Sequence, residues 1–313
     1  MKKFKVAKLF QEEDTKFLLG CAFKFSTVYL LMALLIYYII WVILSVNSIY
    51  FETLDFGISQ DLRAAFLDSS MKIIFDRILY FLGFYILLFL AGLYLGKLLL
   101  RPFDIIAKYS EGRTNDQKIE FNPDTFSDYK FLTRFGEFFF RYLAESEKTK
   151  KLAPNTVPPS FAKIRTPPFE RVFFFHFILF IIILAIITGY FMGYFVAGIR
   201  DQLLEHSINT FSSSKKISTQ FFSNQFYIFD SIILMSILGI FVSYISLSLH
   251  LYSKVSGGIF AFFLTMRSFM KGNHSARVHF VGFPHLRSYG RLFNKYLDKV
   301  ERECEKSDND VKS

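Results

Sequence analysis

Histidine and cysteine are the side chains of this sequence best able to bind a metal or attack a substrate, but they are scattered along it. The six histidines are at 176, 206, 250, 274, 279 and 285, and the two cysteines are Cys21 and Cys304. The sequence has no CxxC, HExxH, GGDEF or GxxxxGK[ST] pattern, no kinase His box or ATP lid, and no Ser-His-Asp elbow. Three histidines share one segment, 273–285, where ordinary loop usage explains them. We therefore predict no enzymatic activity, no catalytic residue, no metal and no cofactor.

The segment 253–303 carries another kind of pattern, an apolar seam along each of two predicted helices. The first seam, which ends before Gly272 as a residue suited to a helix C-terminus, consists of Ile259, Phe262, Met266 and Phe269. The second seam consists of Leu286, Tyr289, Phe293, Tyr296 and Val300. Between them, the alternating Val278 and Phe280 predict an extended connector that packs on the helices. The expected role of such a segment is to change its packing, because an imperfect aromatic seam can pack in more than one rotation or offset.

Four apolar stretches must position these helices. They are 25–46, 78–95, 172–199 and 227–251. At about 1.5 Å per residue, each is long enough to cross a hydrocarbon core of roughly 30 Å. A hydrophobic content of 52%, with 42 Phe and 17 Tyr, also exceeds what one soluble core could bury. The sequence therefore predicts four transmembrane helices arranged as two hairpins.

Basic residues give the orientation of these hairpins, because Lys and Arg beside a span are retained in the cytoplasm. Of 37 Lys and Arg residues, six lie in 1–24, fourteen in 97–171 and eleven in 252–313. Both termini and the middle segment are therefore predicted to be cytoplasmic. The same distribution accounts for the net charge of +10 without nucleic-acid binding. The outer loops, of about 30 residues each, are too short to fold into a ligand-binding domain.

The segment 253–303 resembles the HAMP domain, the helix-connector-helix relay of bacterial chemoreceptors and sensor kinases. Gly258 occupies the place of the family's helix-starting proline, fourteen residues before Gly272. GNHSARV, with Arg277 and Val278, resembles the connector, and LFNKYLDKV resembles the second helix. Pro284 and His285 replace the acidic pair that the family usually has before the second helix. The resemblance implies a paired-helix module that transmits a conformational change.

A second copy of this helix-connector-helix pattern occurs about 155 residues earlier, in 98–147. Arg101 and Pro102 match the family's helix start, and GEFFFRYL (136–143) is similar to GRLFNKYL (290–297). Its second helix is predicted to carry a seam of Phe131, Phe135, Phe138 and Tyr142. With Gly112 taken as the helix end, the first helix is ten residues long instead of fourteen. This copy is therefore expected to be degenerate.

The sequence thus predicts an all-α membrane protein in which each transmembrane hairpin is followed by a cytoplasmic HAMP-like helix-connector-helix coiled-coil module. The predicted regions are a cytoplasmic N-terminus (1–24), hairpin 1 (25–100), the degenerate module (101–147), a Pro/Lys-rich extended linker (148–171), hairpin 2 (172–252), the second module (253–303) and a polar tail (304–313). No output domain is recognised. Since a HAMP bundle needs four helices and one copy supplies two, the modules are expected to pair within one chain as a pseudo-dimer or between chains as a homodimer.

The expected function is a signal-transduction relay in the bacterial inner membrane. It would pass a conformational change from the transmembrane helices, through the HAMP-like helices, to a separate cytoplasmic partner whose identity the sequence does not give. The bilayer, a partner or a signal within reach of the short outer hairpins would be the stimulus. The alternatives are a non-enzymatic membrane scaffold and a small transporter or channel component. Spans nearly free of charge argue against transport.

Overall fold

Helices account for nearly all of the chain that the structure describes. The computed structural model describes residues 13–53, 60–117, 119–121, 130–167, 170–210 and 215–312, and no strand occurs among them. The helices of the first half are α1 (Glu13–Thr53), α2 (Gln60–Phe75), α3 (Ile78–Thr114) and α4 (Lys130–Thr149). Those of the second half are α5 (Pro159–Ala162), α6 (Arg171–Thr210), α7 (Lys215–Met270) and α8 (Arg287–Lys312), and a 3-10 turn at Pro284–Leu286 precedes α8. The prediction of an all-helical fold is confirmed for these residues.

Four stretches of these helices are long and apolar enough to cross a membrane. They are Glu13–Tyr50, Asp61–Thr114, Arg171–Thr210 and Tyr227–Met270. Within the most apolar window of each, only 22% to 33% is buried inside the protein. Exposure of so much apolar surface to water would cost about 25 cal/mol per Å², and a bilayer removes that cost. The chain is therefore a multi-pass membrane protein, as the four apolar stretches predicted.

One compact unit consists of Ala22–Gly92 and Leu179–Ser248. In this unit α6 and α7 approach closely at Gly189, where an added Cβ would lie 3.1 Å from the side chain of Ile237. Small residues at such contacts let membrane helices pack closely. Tyr244 of α7 is buried, and its hydroxyl donates a hydrogen bond of 3.2 Å to the Phe25 carbonyl oxygen of α1. The apolar helices α1, α6 and α7 are thus joined by direct contacts in this unit.

The other compact unit consists of the described residues within Met1–Cys21, Leu93–Ile178 and Leu249–Ser313. It contains the C-terminal parts of α3 and α7 together with α4, α5 and α8. Its core is unusually aromatic. Its largest fully buried side chains include Phe103, Phe135, Phe139, Phe140, Phe262 and Tyr296. Both predicted modules therefore contribute to one core.

Pro102 and Gly258 do not begin helices, contrary to the expectation for both modules. Pro102 lies inside α3, and Gly258 lies inside α7. At Gly258 an added Cβ would lie 2.2 Å from the Leu286 side chain and 3.2 Å from the Phe103 ring. The glycine is thus required by close packing, and its resemblance to a helix start is misleading. Each helix continues unbroken from a candidate span into the aromatic core.

The linker between the modules is less extended than its proline content predicts. Pro158 has the extended backbone expected before a proline, with φ −52° and ψ 139°, and Pro159 begins α5. A proline is tolerated there because its missing N–H would have no partner in the helix. The Phe161 ring of α5 packs 5.6 Å from the Phe131 ring and 5.1 Å from the Phe135 ring of α4. This part of the linker is packed against the module it follows.

Candidate relay core

The seam predicted on the first helix of the second module is wholly buried. Ile259, Phe262, Met266 and Phe269 are each 0% exposed. The Phe262 ring lies 5.8 Å from Phe103 of α3 and 5.1 Å from Phe293 of α8. Apolar residues three and four apart form one face of a helix, and burial of that face fixes the rotation of α7 against its neighbours. The face contacts helices of both modules.

The second predicted seam, on α8, is also buried except at one position. Leu286, Phe293, Tyr296 and Val300 are each 0% exposed, whereas Tyr289 is half-buried. Tyr289 nevertheless packs its ring 6.3 Å from Phe103. Burial raises the pKa of the Tyr289 phenol, and the neighbouring Asp14 carboxylate adds to that effect. The structure brings the two predicted seams together into a single core.

The seam of α4 is shifted by one residue from its prediction at one position. Phe138 is half-buried, whereas Phe139 is 0% exposed. The Phe139 ring lies 6.1 Å from Phe269 and 5.9 Å from Phe293. Three adjacent phenylalanines make periodicity ambiguous, because a seam can pass through any one of them. The correct residue is distinguished only by contacts with the other module.

The first helix of the first module is not one turn short, which corrects the expectation based on Gly112. That glycine lies inside α3, where an added Cβ would lie 2.3 Å from Ile119, so it gives room to the connector. The helix ends at Thr114, 156 positions before the end of α7 at Met270. The Gln117 amide donates to the Gly112 carbonyl, and Asp116 has a left-handed φ of 58°.

The end of α7 has the same left-handed helix end, and it lies at Gly272, the residue that was predicted to end this helix. Gly272 has a φ of 99°, and the Asn273 amide donates to the Ser268 carbonyl at 3.2 Å. Bonds of this six-to-one type with a left-handed residue define the Schellman helix end. Asp116 and Gly272 are therefore equivalent, and each lies fourteen residues after Pro102 or Gly258. The part of α3 that follows Pro102 therefore matches in length the part of α7 that follows Gly258.

A polar cluster that was not predicted from the sequence lies in the core at the end of α3. Arg113 forms an ion pair with Glu147 of α4, with side chains only 23% and 15% exposed. The Tyr296 phenol of α8 is buried beside this pair. Burial raises the pKa of Tyr296, Glu147 raises it further, and the Arg113 guanidinium opposes both. The cluster thus joins one helix of the second module to two of the first.

Lys299 of α8 completes this cluster by binding the end of α3. Its ammonium donates to the carbonyl oxygens of Arg113 at 3.0 Å and Thr114 at 3.3 Å, and it forms an ion pair with Asp116. The last carbonyls of a helix lack partners and carry partial negative charge, so a cation there is stabilising. One module therefore supplies the C-terminal cap of the other.

The connector of the second module is fixed to α8 by Arg277 and Val278, both of which were predicted. The Val278 amide and carbonyl each make a 2.9 Å hydrogen bond with the side-chain amide of Asn294. Arg277 pairs with Asp298 at 2.6 Å and also with Glu301. Val278 and Phe280 are buried, as their alternation predicted. The side chains of the FNKYLDKVE run thus hold an extended connector, which pairs with no strand in the part of the chain that the structure describes.

The beginning of α1 packs on the start of α8, a contact that no sequence pattern indicated. Phe17 stacks on His285 with ring centroids 4.3 Å apart, and the Ser288 hydroxyl donates to the Asp14 carboxylate at 2.9 Å. His285 is 7% exposed. Burial lowers the pKa of His285 to about 4, and Lys254 contributes in the same direction. Of the two residues that stand where the HAMP resemblance leads one to expect an acidic pair, His285 is thus buried in this contact, whereas Pro284 is exposed.

The linker also reaches the ends of the core helices. The Asn155 amide donates to the Met270 carbonyl at 2.8 Å, and Pro154 lies 3.2 Å from where a Cβ on Gly272 would stand. At its other end, the Glu170 carboxylate accepts a 3.0 Å hydrogen bond from the Phe131 amide in the first turn of α4. An acidic group at that position satisfies an otherwise unpaired N–H.

Comparison with known proteins adds no relative to this description: no family model, no curated protein and no solved structure matches the chain.

Proposed function

We propose that this protein is a signal-transduction relay of the bacterial inner membrane, with both termini and the aromatic core in the cytoplasm. Its HAMP-like helices would pass a conformational change from the transmembrane helices to a separate cytoplasmic partner. The observation that supports this proposal is the continuity of α3 and α7. Each is a candidate span that enters the core without a break at Pro102 or Gly258.

Helix continuity matters because a helix transmits rotation and axial shift along its length. A turn of α7 about its axis would displace Phe262 and Phe269 from their contacts with Phe103 and Phe139. Large aromatic rings do not form the regular knobs-into-holes packing of Leu and Ile seams, so alternative packings lie closer in free energy. A small bias from the membrane could then select between them. That is the mechanism by which a relay of this kind operates.

Pairing of the modules within one chain is part of the proposal. The ring contacts of Phe139 with Phe269 and Phe293 join α4 to α7 and α8, and Lys299 joins α8 to α3. Four helices of one chain therefore supply the number that a HAMP bundle requires. Mass measurement in detergent at low protein concentration tests this point. A monomer is expected, and an obligate homodimer would contradict intrachain pairing.

The phase of α7 tests the relay itself. Insertion of one alanine after Lys254 turns the following residues by about 100°, whereas insertion of seven residues returns them to within about 20° of their original face. The variants replace the native gene, and the transcript profile of each strain is compared with that of a strain lacking the gene. We expect the one-residue insertion to alter the profile and the seven-residue insertion to leave it nearly native.

Folding and membrane insertion must be measured in the same strains, because a misfolded variant would also change the transcript profile. Membrane abundance and resistance to SDS unfolding provide that control. A relay requires that output follow phase while abundance stays constant. If both insertions leave output unchanged, or if both abolish it equally, the relay proposal is wrong.

Orientation can be tested with one engineered thiol on each side. The two native cysteines are buried, so their reaction with a membrane-impermeant maleimide should be slow. Lys271 and Gln202 are both exposed, on the two sides predicted to be cytoplasmic and external. In intact cells, Gln202→Cys should be labelled and Lys271→Cys should be protected. The opposite pattern would contradict a cytoplasmic core.

A scaffold is the second candidate, and the contacts at the helix ends favour it. Phe17 on His285, Asn155 on Met270 and Lys299 on α3 all hold the core in one arrangement. A protein that only assembles partners would benefit from such restraints. It would tolerate the one-residue insertion if partners still bound, which is the outcome that separates it from a relay.

A further inference from the structure

A polar cavity of about 440 Å³ lies where the junction of α2 and α3 faces the C-terminal part of α6. All of its lining residues belong to the unit formed by Ala22–Gly92 and Leu179–Ser248. The junction contributes Asp76 and Arg77. The polar residues that α6 contributes are spaced so that they share one face of the helix, and they are Gln202, Glu205, His206 and Asn209. The cavity falls within the roughly 300–1,000 Å³ of typical small-molecule sites.

Direct contacts hold the two walls of this cavity together. The His206 ring nitrogen Nε2 lies 2.7 Å from the hydroxyl oxygen of Ser69 in α2, so the two side chains share a hydrogen bond. The His206 ring also stacks on the ring of Phe66, with centroids 5.3 Å apart, and Phe66 is buried. His206 is thus occupied in joining α6 to α2, and the charged residues are left to meet a ligand.

The guanidinium of Arg77 lies against α6 at Gly198. A Cβ added to Gly198 would stand 2.8 Å from the Nη1 atom of Arg77, so the glycine gives the guanidinium its place. Arg77 is half-buried, and its guanidinium has no hydrogen bond or ion pair with any residue that the structure describes. Arg200 of α6, by contrast, pairs with Asp201 at 2.9 Å and with Asp230 at 2.5 Å. The positive charge of the cavity is therefore the unpaired one.

The two carboxylates of the cavity are also unpaired. Neither Asp76 nor Glu205 forms an ion pair within the described part of the chain, although both line the cavity with Arg77. Opposite charges attract, so Arg77 and Glu205 would pair if their side chains met. Along α6, Glu205 lies seven residues beyond Gly198, which is about 10 Å of helix. The cavity thus keeps a positive and a negative group apart.

A ligand of this cavity has to satisfy charges of both signs. A simple anion would meet Arg77 but would be repelled by the two carboxylates, and a simple cation would be repelled by Arg77. A metal ion is not favoured either, because no group of three His, Cys, Asp or Glu residues in the described ranges is placed to hold one.

We propose that the cavity binds a small zwitterion, whose carboxylate pairs with Arg77 and whose ammonium pairs with Glu205. Charge-assisted hydrogen bonds of about 2.8 Å at each end of a gap of about 10 Å leave about 4–5 Å between the ligand's own charged groups. A four-carbon ω-amino acid spans that distance. The ligand class is therefore a short amino acid with its ammonium and carboxylate at opposite ends.

Such a site would give the relay an input, and only this role rests on the proposed function. The α2–α3 junction belongs to the first hairpin and α6 to the second, so a ligand that bridges them would bias the position of one hairpin against the other. The charged residues lie just beyond the apolar stretches 78–95 and 172–199, on the side predicted to be external. Binding itself requires neither that orientation nor an output.

Three ligands of equal carbon number test the need for both charges. Isothermal titration calorimetry of the full-length protein in lipid nanodiscs compares γ-aminobutyrate, butyrate and butylamine, which carry both charges, the negative charge and the positive charge. We expect γ-aminobutyrate to bind about tenfold or more tightly than either analogue, since each analogue forfeits one charge-assisted hydrogen bond.

Variants of the two charged walls assign each end of the ligand. Arg77→Gln should bind γ-aminobutyrate about tenfold more weakly and butylamine no more weakly than the wild type does. Glu205→Gln should weaken γ-aminobutyrate by a similar factor and leave butyrate no weaker. Lys72→Gln is the matched control, because it removes an exposed positive charge from α2 that does not line the cavity, and its affinities should equal those of the wild type.

Several results would overturn the assignment. They are no binding of γ-aminobutyrate at millimolar concentration, equal or tighter binding of butyrate, butylamine or an uncharged sugar, or unchanged affinity in both charge variants. If Arg77→Gln fails to fold, the ligand comparison in the wild type and in Glu205→Gln still decides. The phase experiment on α7 reads transcripts and this one reads binding to purified protein, so failure of one proposal is distinguishable from failure of the other.

Discussion

The last turns of α3 and α7 are equivalent in position and differ in chemistry. In α7 the final seam residues are Met266 and Phe269, and both are fully buried. The residues 156 positions earlier in α3 are Ser110, also fully buried, and Arg113, paired with Glu147. A symmetric pair of second modules would bury two apolar ends. The core of one chain instead combines an apolar end with a polar one.

Buried polar groups often add more to the specificity of packing than to its strength. The Arg113 and Glu147 cluster has a partner in α8, where Tyr296 and Lys299 approach the end of α3. The end of α7 has a different support, the linker residues Pro154 and Asn155. The two helix ends thus have different closing contacts, and the differences below can be reversed one at a time.

The largest effect is expected for Phe139→Ala. This ring contacts both Phe269 and Phe293 of the second module, and its loss would leave a cavity shared by the two copies. We expect a loss of about 3–5 kcal/mol in the free energy of unfolding, measured by SDS titration of the full chain followed by circular dichroism. Phe138→Ala, at the half-buried neighbouring position, should cost about 1 kcal/mol. Equal losses would mean that the copies do not share a core.

Removal of one charge from the polar cluster should have the next largest effect. Glu147→Leu leaves Arg113 without its carboxylate in a site where its side chain is 23% exposed, so we expect a loss of about 2–3 kcal/mol. Adding Arg113→Phe makes α3 resemble α7 and should restore most of that loss. Asp104→Asn, which breaks the exposed pair with Lys108, should cost about 0.5 kcal/mol or less. Additive losses in the double variant would contradict a coupled pair.

The third prediction concerns His285. The corresponding position in the first module holds Phe131, so His285→Phe gives both modules the same residue type there. The folded chain holds the pKa of His285 near 4, below its ordinary value of 6.5, so the unfolded chain binds the proton more tightly. Its contribution to stability is complete above about pH 6.5 and is lost as the pH falls toward about 4. Between about pH 7 and about pH 5 the wild type should lose about 1–2 kcal/mol from this group.

His285→Phe should remove that loss while keeping the stack on Phe17, and the difference between the two proteins isolates the effect from other titrating groups. His279→Gln, at an exposed connector position, should retain the full wild-type dependence. The measurement is thermal unfolding across this pH interval. A slope that is the same in the wild type and in His285→Phe would show that His285 is not buried in its neutral form.

The spans and the two seams of the second module, apart from the half-buried Tyr289, could be predicted from the sequence because each depends on local periodicity. Long uncharged runs required a bilayer, and steps of three and four required one buried face. The buried Ile259 and Phe293 are therefore where the pattern placed them. Even Gly272 followed from a rule about helix ends, since only a left-handed residue closes a Schellman turn without strain.

The remaining features depend on contacts between segments far apart in sequence. Lys299 meets Thr114 of α3 from 185 positions away, and Phe17 meets His285 only because α1 begins beside α8. No local pattern records such pairs. Asp116 is an intermediate case. Its role would have followed from applying the 156-residue offset to Gly272, but a search for glycine selected Gly112 instead.

The smallest effect concerns the two helix ends themselves. Gly272→Ala forces a Cβ into a left-handed backbone with a φ of 99° and to within 3.2 Å of Pro154, and we expect a loss of about 1–2 kcal/mol in unfolding free energy. Asp116→Gly relieves the same backbone cost in α3 but removes the carboxylate that Lys299 binds. These opposing terms should leave it within about 0.5 kcal/mol of wild type.

Asp116→Ala loses the ion pair without relieving the backbone and should therefore be less stable than Asp116→Gly by about 1 kcal/mol. SDS titration of the three variants gives both differences. The end of α7 relies on a glycine, whereas the end of α3 relies on a side chain held by Lys299. In a Lys299→Met background, the remaining stability advantage of aspartate over alanine at position 116 should therefore disappear. The cost of Gly272→Ala should be unchanged in that background. If Lys299→Met altered both ends equally, the ammonium would be stabilising the core as a whole, and the two helix ends would not be independent.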